Sequence, residues 1–462
     1  MCRIASILFV VTFLVSCSQQ PTPAFQSTSY ALVGGTMVDS RGALDEEPGL
    51  LWILDNRIHY VGAVDGIELP DSVLQVDVSG KWVLPGLMDL HIHPPARSDQ
   101  GSVMKTLLAF GITTVRVAAS TVESGTALKE QSHSGAFVGP HVVTAGRLID
   151  GPNSVHATAA EVISREEIRQ EIAAQAEQGV DYIKLYTGLE KELVEEAVDI
   201  SHDLGLKVLG HLGQTSWYDA SSSGIDAITH SGFIGPIWEL VPSELHPEFQ
   251  TSHPGTSINE LRLWLSYLNE SDSGLDSLAI NMLQHDVEVN PTLVLTWAMI
   301  YGSEPDSIER FEPHFAPPDQ SRRWIGRPHP FSRAIGPYST AFADSLYEAF
   351  AYIIAGLHNR GVRITTGTDL ILPWMTPGVA LHEEMVLLAD AGLSNSDVLA
   401  AATINGAESI GLRSVGQLRD GWKADLIIID ANPLVDVSNL RQVEMVIKDG
   451  VAYYHDELLL NE

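Results

Sequence analysis

The sequence predicts an α/β protein: a (β/α)8 TIM barrel with a small β-sandwich domain built from both chain ends. Three observations predict it. Apolar strand-like runs and amphipathic helical stretches alternate through the middle of the chain, the signature of a parallel sheet. Eight such runs can be counted, ending near His91, Val117, Thr144, Leu185, His211, His230, Pro291 and Asp369, the number a closed βα barrel needs. On either side of them the chain holds short strands and turn residues with no helical period.

At 462 residues the chain exceeds one minimal domain, and a large barrel with a smaller companion accommodates it. With 45% hydrophobic and 19% charged residues it can bury a sizeable core. The small domain is read at 30–82 and 414–460. Ala31-Leu32-Val33-Gly34-Gly35 is an apolar strand closed by glycine, and residues 50–54 and 58–61 flank the polar turn Asp55-Asn56-Arg57, a hairpin pattern. Near the other end, residues 424–430 form a buried-strand run, and residues 443–447 lead into the turn Lys448-Asp449-Gly450. The barrel is read at 83–413. Its helices show over 165–178, where Glu166 and Glu167 suit the positive end of the helix dipole, and over 190–204. Residues 297–338, rich in Pro, Trp and Phe and without periodicity, are expected to form an ordered lid over the barrel mouth.

The first residues read as a processing signal. Arg3 is a basic start, residues 4–15 are apolar but shorter than a membrane span, and Leu14-Val15-Ser16-Cys17 resembles the lipobox of bacterial lipoproteins. That resemblance implies a signal peptide over 1–16, lipidation of Cys17, and an exported protein anchored by lipid to a bacterial membrane. Residues 17–29, rich in Ser, Gln, Thr and Pro, read as a tether. Cys2 and Cys17 are the sole cysteines, which excludes a disulfide framework and any cysteine-based metal site or nucleophile in the body of the protein. The balance of 27 Lys and Arg against 59 Asp and Glu, a net charge of −32, repels phosphate backbones and excludes nucleic acid as a natural partner.

The chemistry concentrates at strand ends. In Leu84-Pro85-Gly86-Leu87-Met88-Asp89-Leu90-His91-Ile92-His93 the two histidines are two residues apart, so their imidazoles share one strand face. At the C-terminal end of a barrel strand that face looks into the mouth, where two imidazoles make half a zinc site or merely two polar side chains. Lys184 closes Tyr182-Ile183-Lys184 among apolar neighbours, an unusual place for an ammonium because burying it is costly. His211, His230 and Asp369 each end a later strand. In this architecture catalytic residues come from the ends of several strands, so all six converge on one face.

This order of residues resembles the metal pattern of the amidohydrolase superfamily. The surrounding phrases are similar to its imidazolonepropionase-like branch, which includes metal-dependent Xaa-Pro dipeptidases: Val83-Leu84-Pro85-Gly86-Leu87-Met88-Asp89, Gly111-Ile112-Thr113-Thr114-Val115-Arg116, Thr366-Gly367-Thr368-Asp369, Ala401-Ala402-Thr403-Ile404-Asn405-Gly406-Ala407 and Gly421-Trp422-Lys423-Ala424-Asp425-Leu426. The resemblance runs from about residue 30 to about 455. It implies two divalent metal ions, zinc being one that histidine and carboxylate suit. His91, His93 and Asp369 would hold one and His211 and His230 the other, with Lys184, carboxylated by CO2, bridging them. A hydroxide between the metals would attack the scissile carbonyl, and Asp369 would carry its proton to the leaving amine. The sequence departs from the family at Val117, where an Asp often follows the Thr-Thr-Val-Arg phrase.

Substrate contacts are expected from Tyr186, which shares the face of Lys184, from His156 in the loop after strand three, and from Arg116, whose guanidinium suits a substrate carboxylate. His382-Glu383-Glu384 lacks the His-Glu-x-x-His spacing and reads as charge at a helix end. The expected reaction is hydrolysis of an amide bond in a small polar substrate, a dipeptide or an N-acyl amino acid. Cyclic amide or lactone hydrolysis and deamination by a single metal are the rivals. A binding protein without catalysis has no use for a buried Lys and Asp facing four histidines.

Overall fold

The computed structural model describes residues 23–25, 27–44, 48–93, 100–231, 237–250, 258–268, 272–330, 332 and 338–459. The signal segment and Cys17 lie outside the described residues.

Seven barrel strands run Leu87–Ile92, Ile112–Val117, His141–Asp150, Tyr182–Leu185, Lys207–Gly210, Ala227–Thr229 and Glu288–Asn290. They pair in parallel, in chain order. The first, second, fourth, sixth and seventh are buried at every residue. A sheet covered on both faces has no solvent side, so even polar residues of these strands, such as Thr113, Arg116, Lys184 and Glu288, are buried. Strand three ends at Asp150, six residues past the expected Thr144.

The eighth position of the barrel is filled without a regular strand among the described residues. Residues 362–370 join both neighbours by backbone hydrogen bonds: Val289 N–H donates to Arg363 O (2.9 Å) and Thr365 N–H to Val289 O (3.0 Å) on one side. On the other, Leu90 N–H donates to Thr366 O (2.9 Å) and Asp369 N–H to His91 O (2.8 Å). Isolated parallel bridges, Val289 with Ile364 and Ile92 with Leu370, mark the same closure.

Outer helices start where the sequence offers caps. Thr121, Ser164, Ser216, Ser339 and Ser394 each accept from the backbone N–H three residues on, a device contributing about 1 kcal/mol apiece. Gly135 and Gly392 end their helices in the left-handed conformation.

The stretch read as an aperiodic lid is largely helical. Leu293–Tyr301, two 3-10 turns and Pro318–Trp324 precede the long helix Thr340–Asn359. This insertion packs on the helix Val379–Ala391 through the Arg310–Glu383 ion pair, with the Arg310 guanidinium over the Trp297 ring (4.8 Å). It also grips the loop after the eighth position, where His329 Nε2 lies 3.0 Å from Pro373 O. The helix Val379–Ala391 is therefore covered on both sides, which corrects the reading of residues 382–384: His382 and Glu384 are buried, and Glu383 alone carries the ion pair.

The two ends of the described chain meet in one mixed sheet of nine strands. The hairpin Gly49–Leu54 and Arg57–Ala63 turns at Asp55 and Asn56, both at positive φ, as a two-residue hairpin turn requires. The long strand Ser29–Asp39 pairs with that hairpin through its first part and with Trp82–Pro85 through its second. Trp82–Pro85 in turn pairs with Leu426–Ile429, and Val443–Lys448 and Val451–Tyr454 complete the sheet. Tyr30, Leu51, Val83, Ile428 and Ile447 share its core. Ala24 and Phe25, read as part of a tether, pair instead with Ala452.

Candidate active site

His91 and His93 stand at the end of strand one, and alternation turns both imidazoles inward with ring centroids 5.4 Å apart. His93 Nδ1 lies 2.9 Å from Ala119 O, which leaves Nε2 to face Asp369 Oδ1 at 2.9 Å. His91 Nε2 is 3.6 Å from the same oxygen. One ligand atom from each of His91, His93 and Asp369 lies within 4.8 Å of the others. Asp369 reaches them because its backbone sits at φ +61, a left-handed conformation costing about 1–3 kcal/mol for such a residue.

The same face gathers the other three expected residues. His230, at φ +74, places Nδ1 2.9 Å from Thr292 Oγ1 and 3.8 Å from Asp369 Oδ2. Its ring lies 4.9 Å from that of His91 and 4.3 Å from that of His211. Lys184 is 2% exposed, and its ammonium donates to Thr229 Oγ1 (3.0 Å), on the residue before His230.

Burial sets the charges. It drives His91 well below the ordinary imidazole range, and takes His230 down to about 3, with Lys184 and His93 adding to the pull against Asp369. Burial alone would raise Asp369, but His91, His93 and His230 outweigh it and hold the carboxylate ionised. Burial lowers Lys184 to about 7, against the attraction of Asp369. The result is that burial disfavours the charged form of His91 and His230 and leaves Lys184 a partly neutral amine beside an ionised carboxylate.

This donor set fits divalent cations. The Asp369 carboxylate is held ionised, burial disfavours protonation of His91 and His230, and His91 Nδ1 is buried with no hydrogen-bond partner. Neutral imidazole nitrogens and a carboxylate oxygen are the ligands zinc-like ions take, and the hydrogen bond from His93 to Ala119 O orients a ligand from behind.

Tyr186 and His156 form a pair beside the cluster. His156 Nε2 is 2.9 Å from Tyr186 OH, and the Tyr186 ring meets His211 edge-on at 4.7 Å. Burial lowers His156, aided by His93. Arg116 is placed differently from expectation. It is fully buried inside the barrel, donating to Leu90 O (2.8 Å), pairing with Glu288 (3.6 Å) and lying 5.0 Å from the Tyr182 ring. Tyr182 and Glu288 begin their strands, so the guanidinium points away from the mouth, toward the barrel floor.

One residue of the site carried no role in the sequence reading. Asp89 shares the parity of His91 and His93, and it pins residue 368 beside Asp369. Its Oδ2 accepts from Thr368 Oγ1 (2.7 Å), and its Oδ1 from Thr368 N–H and His91 N–H (3.2 Å each). Burial pushes its carboxyl up to about 7 despite these bonds. An Asp inside the apolar run Leu87-Met88-Asp89-Leu90 was the available signal.

A closed βα barrel with ionisable groups gathered at its C-terminal mouth defines a barrel enzyme. The model of the Amidohydrolase family matches residues 82–235 and 331–452, more than half of the chain, and the chain belongs to that family. Among relatives, a putative dihydroorotase of Rhodopirellula baltica is 30% identical over 104 residues, covering 21% of this chain and 22% of that protein. Ochratoxinase of Aspergillus niger is 32% identical over 109 residues, 23% of this chain and 21% of that one. These alignments span about a fifth of each relative. A solved structure of a Xaa-Pro dipeptidase with methionine bound in its active site superposes with a TM-score of 0.67 at 20% identity, over 92% of this chain and all of that one. At that identity the likeness establishes the fold.

Proposed function

We propose that the protein hydrolyses the amide bond of a small polar substrate, a dipeptide or an N-acyl amino acid, with two divalent cations. The observation that carries this reading is Lys184, buried at the barrel mouth, where its ammonium donates to Thr229 Oγ1 next to His230 and is attracted by Asp369. A lysine there serves little purpose as a cation. As a partly neutral amine it can attack CO2, forming the N–C bond of a carbamate and releasing one proton, which converts it to an anionic oxygen ligand. His91, His93 and Asp369 would then hold one ion and His211 and His230 the second, with the carbamate between. Ions held there would lower the pKa of water and polarise the scissile carbonyl.

The side chains do the rest. Asp369, ionised and within reach of His93 and His91, accepts the proton of the attacking water and returns it to the leaving amine. The His156–Tyr186 pair offers donors to a polar group of the substrate beside His211. The strongly acidic chain matches a small substrate of low charge better than a polyanion. The lipobox-like Leu14-Val15-Ser16-Cys17 supports export and a lipid anchor on Cys17; a Cys17→Ser chain that stays in the membrane fraction refutes it.

The test is metal content per chain in protein purified without chelator, beside Lys184→Ala. Two metals in the parent, fewer in the variant, and loss of dipeptide or N-acyl amino acid hydrolysis are expected. One metal, with Lys184→Ala unchanged, would favour deamination or ring opening by a single ion.

A further inference from the structure

Strand three ends in a carboxylate whose surroundings are built with unusual economy. Asp150 is 1% exposed, and its Oδ1 accepts two backbone amides, Gly151 N–H at 2.8 Å and Gly188 N–H at 2.7 Å. Gly151 opens the loop that carries His156, and Gly188 lies two residues beyond Tyr186. The two backbones touch. A Cβ on Gly151 would strike Gly188 O, and one on Gly188 would sit 2.8 Å from Asp150 Oδ1. Only glycine at both positions lets one oxygen reach both amides.

The rest of the neighbourhood closes around this bond. Residues Ala160–Glu161 pair in parallel with Ile149 and Asp150, and Val162 N–H donates to Asp150 O (2.9 Å), so the 151–159 loop is shut at its base. Tyr186 N–H donates to Ile149 O (2.9 Å), fixing the other loop to the same strand end. Ala159 N–H donates to His156 O (2.9 Å) within the loop itself. The side chains these segments carry meet as the His156–Tyr186 hydrogen bond against His211.

We propose that Asp150 is a positioning residue that staples the His156 loop to the Tyr186 loop and thereby sets how tightly that pair holds the substrate. The inference rests on the reading of His156 and Tyr186 as substrate contacts. The staple is geometric: the acceptor is one oxygen, so an amide oxygen in its place does the same work, while its removal leaves the buried Gly151 amide and the half-buried Gly188 amide unpaired.

The experiment uses the full metal-loaded chain, with L-alanyl-L-proline and N-acetyl-L-methionine as probes and hydrogen exchange as a readout independent of turnover. In Asp150→Ala, amides in 151–159 and 186–190 are expected to exchange about tenfold faster or more, with those of strands one and five unchanged. Asp150→Asn is expected to restore parental exchange and most of the activity. KM in Asp150→Ala should rise about tenfold to a hundredfold with metal content unaltered. In a His156→Ala/Tyr186→Phe background the same change should cost no more than about twofold, because the pair it positions is gone. If Asp150→Ala does not fold, Asp150→Ser, one atom shorter, replaces it. Unchanged exchange, a fall in metal content, or a full additive loss in the double background each overturns the staple alone. A His156→Ala/Tyr186→Phe chain with parental kcat/KM overturns the substrate reading of the pair, and the inference with it.

Discussion

Strands one and eight of the barrel are neighbours with opposite construction. Leu87–Ile92 is a continuous strand, buried at every residue and paired in parallel with strand two, with register shifts after Leu87 and after Asp89. Residues 362–370 hold the same kind of position by scattered backbone bonds and by side chains: Thr366 Oγ1 donates to Met88 O (2.8 Å) and Thr368 Oγ1 to Asp89 Oδ2 (2.7 Å). His91 and His93, two residues apart at the end of that strand, come to one face with their rings 5.4 Å apart and neither backbone at positive φ. Asp369 needs a turned backbone, which a full ladder would forbid, so threonine hydroxyls and a buried carboxylate take over the ladder's work. The difference teaches that the ligands of strand one are placed without positive φ, whereas Asp369, like His230 after strand six, sits on a backbone turned to positive φ.

The largest effect that tests this comparison is at Asp369 itself. Asp369→Asn keeps the shape but removes the proton acceptor, and turnover should fall by about a hundredfold to ten-thousandfold, read in kcat with the metal content measured alongside. Next comes its support. Thr368→Val should cost about 1–3 kcal/mol in denaturant unfolding by leaving Asp89 short of a donor, and should lower kcat as well. An equal loss of stability with parental kcat would break the link between the two. Glu384 gives a smaller, pH-dependent effect. It is fully buried, accepts from Val294 N–H (2.7 Å), and burial pushes its carboxyl up to about 8 against that bond. The folded chain therefore binds this proton more tightly than the unfolded one, and stability falls as pH rises from the ordinary glutamate range through about 8. Glu384→Gln should flatten the melting temperature over that window, and an unchanged slope would assign the dependence to Asp89, which burial raises to about 7. The smallest effect belongs to the surface: Lys81→Ala, which removes the pairs with Asp430 and Glu444, should cost less than about 1 kcal/mol.

The regular half of the barrel was legible because burial on both faces writes itself as apolar runs. The strand-end residues His91, His93, Lys184, His211, His230 and Asp369 followed from those runs, and the structure gathers all six. What escaped depends on depth and on length. Strand three runs six residues past the expected Thr144, and Asp150 at its end carried no expected role. Arg116 was assigned by its position near a strand end, but a long side chain can point down the barrel as well as up, and its partner Glu288 begins a strand far away in sequence. Glu384 looked like surface charge because periodicity within one helix does not say how many layers cover it. The helices of the insertion lacked a clear period, because several of their faces are buried at once, as the seven buried residues of Leu293–Tyr301 show.

The shared sheet of the two chain ends has a consequence for how the molecule is made. Leu84 pairs with Ile427, and the strand before the barrel has no partner on that side until the last part of the chain exists. Contacts that distant in sequence are slow to close. During synthesis Trp82–Pro85 is an open, apolar edge, able to recruit another unfinished chain before its own partner arrives. A chain truncated before Leu426 keeps every residue of the barrel mouth and still lacks that cover, so its failure would be aggregation rather than inactivity.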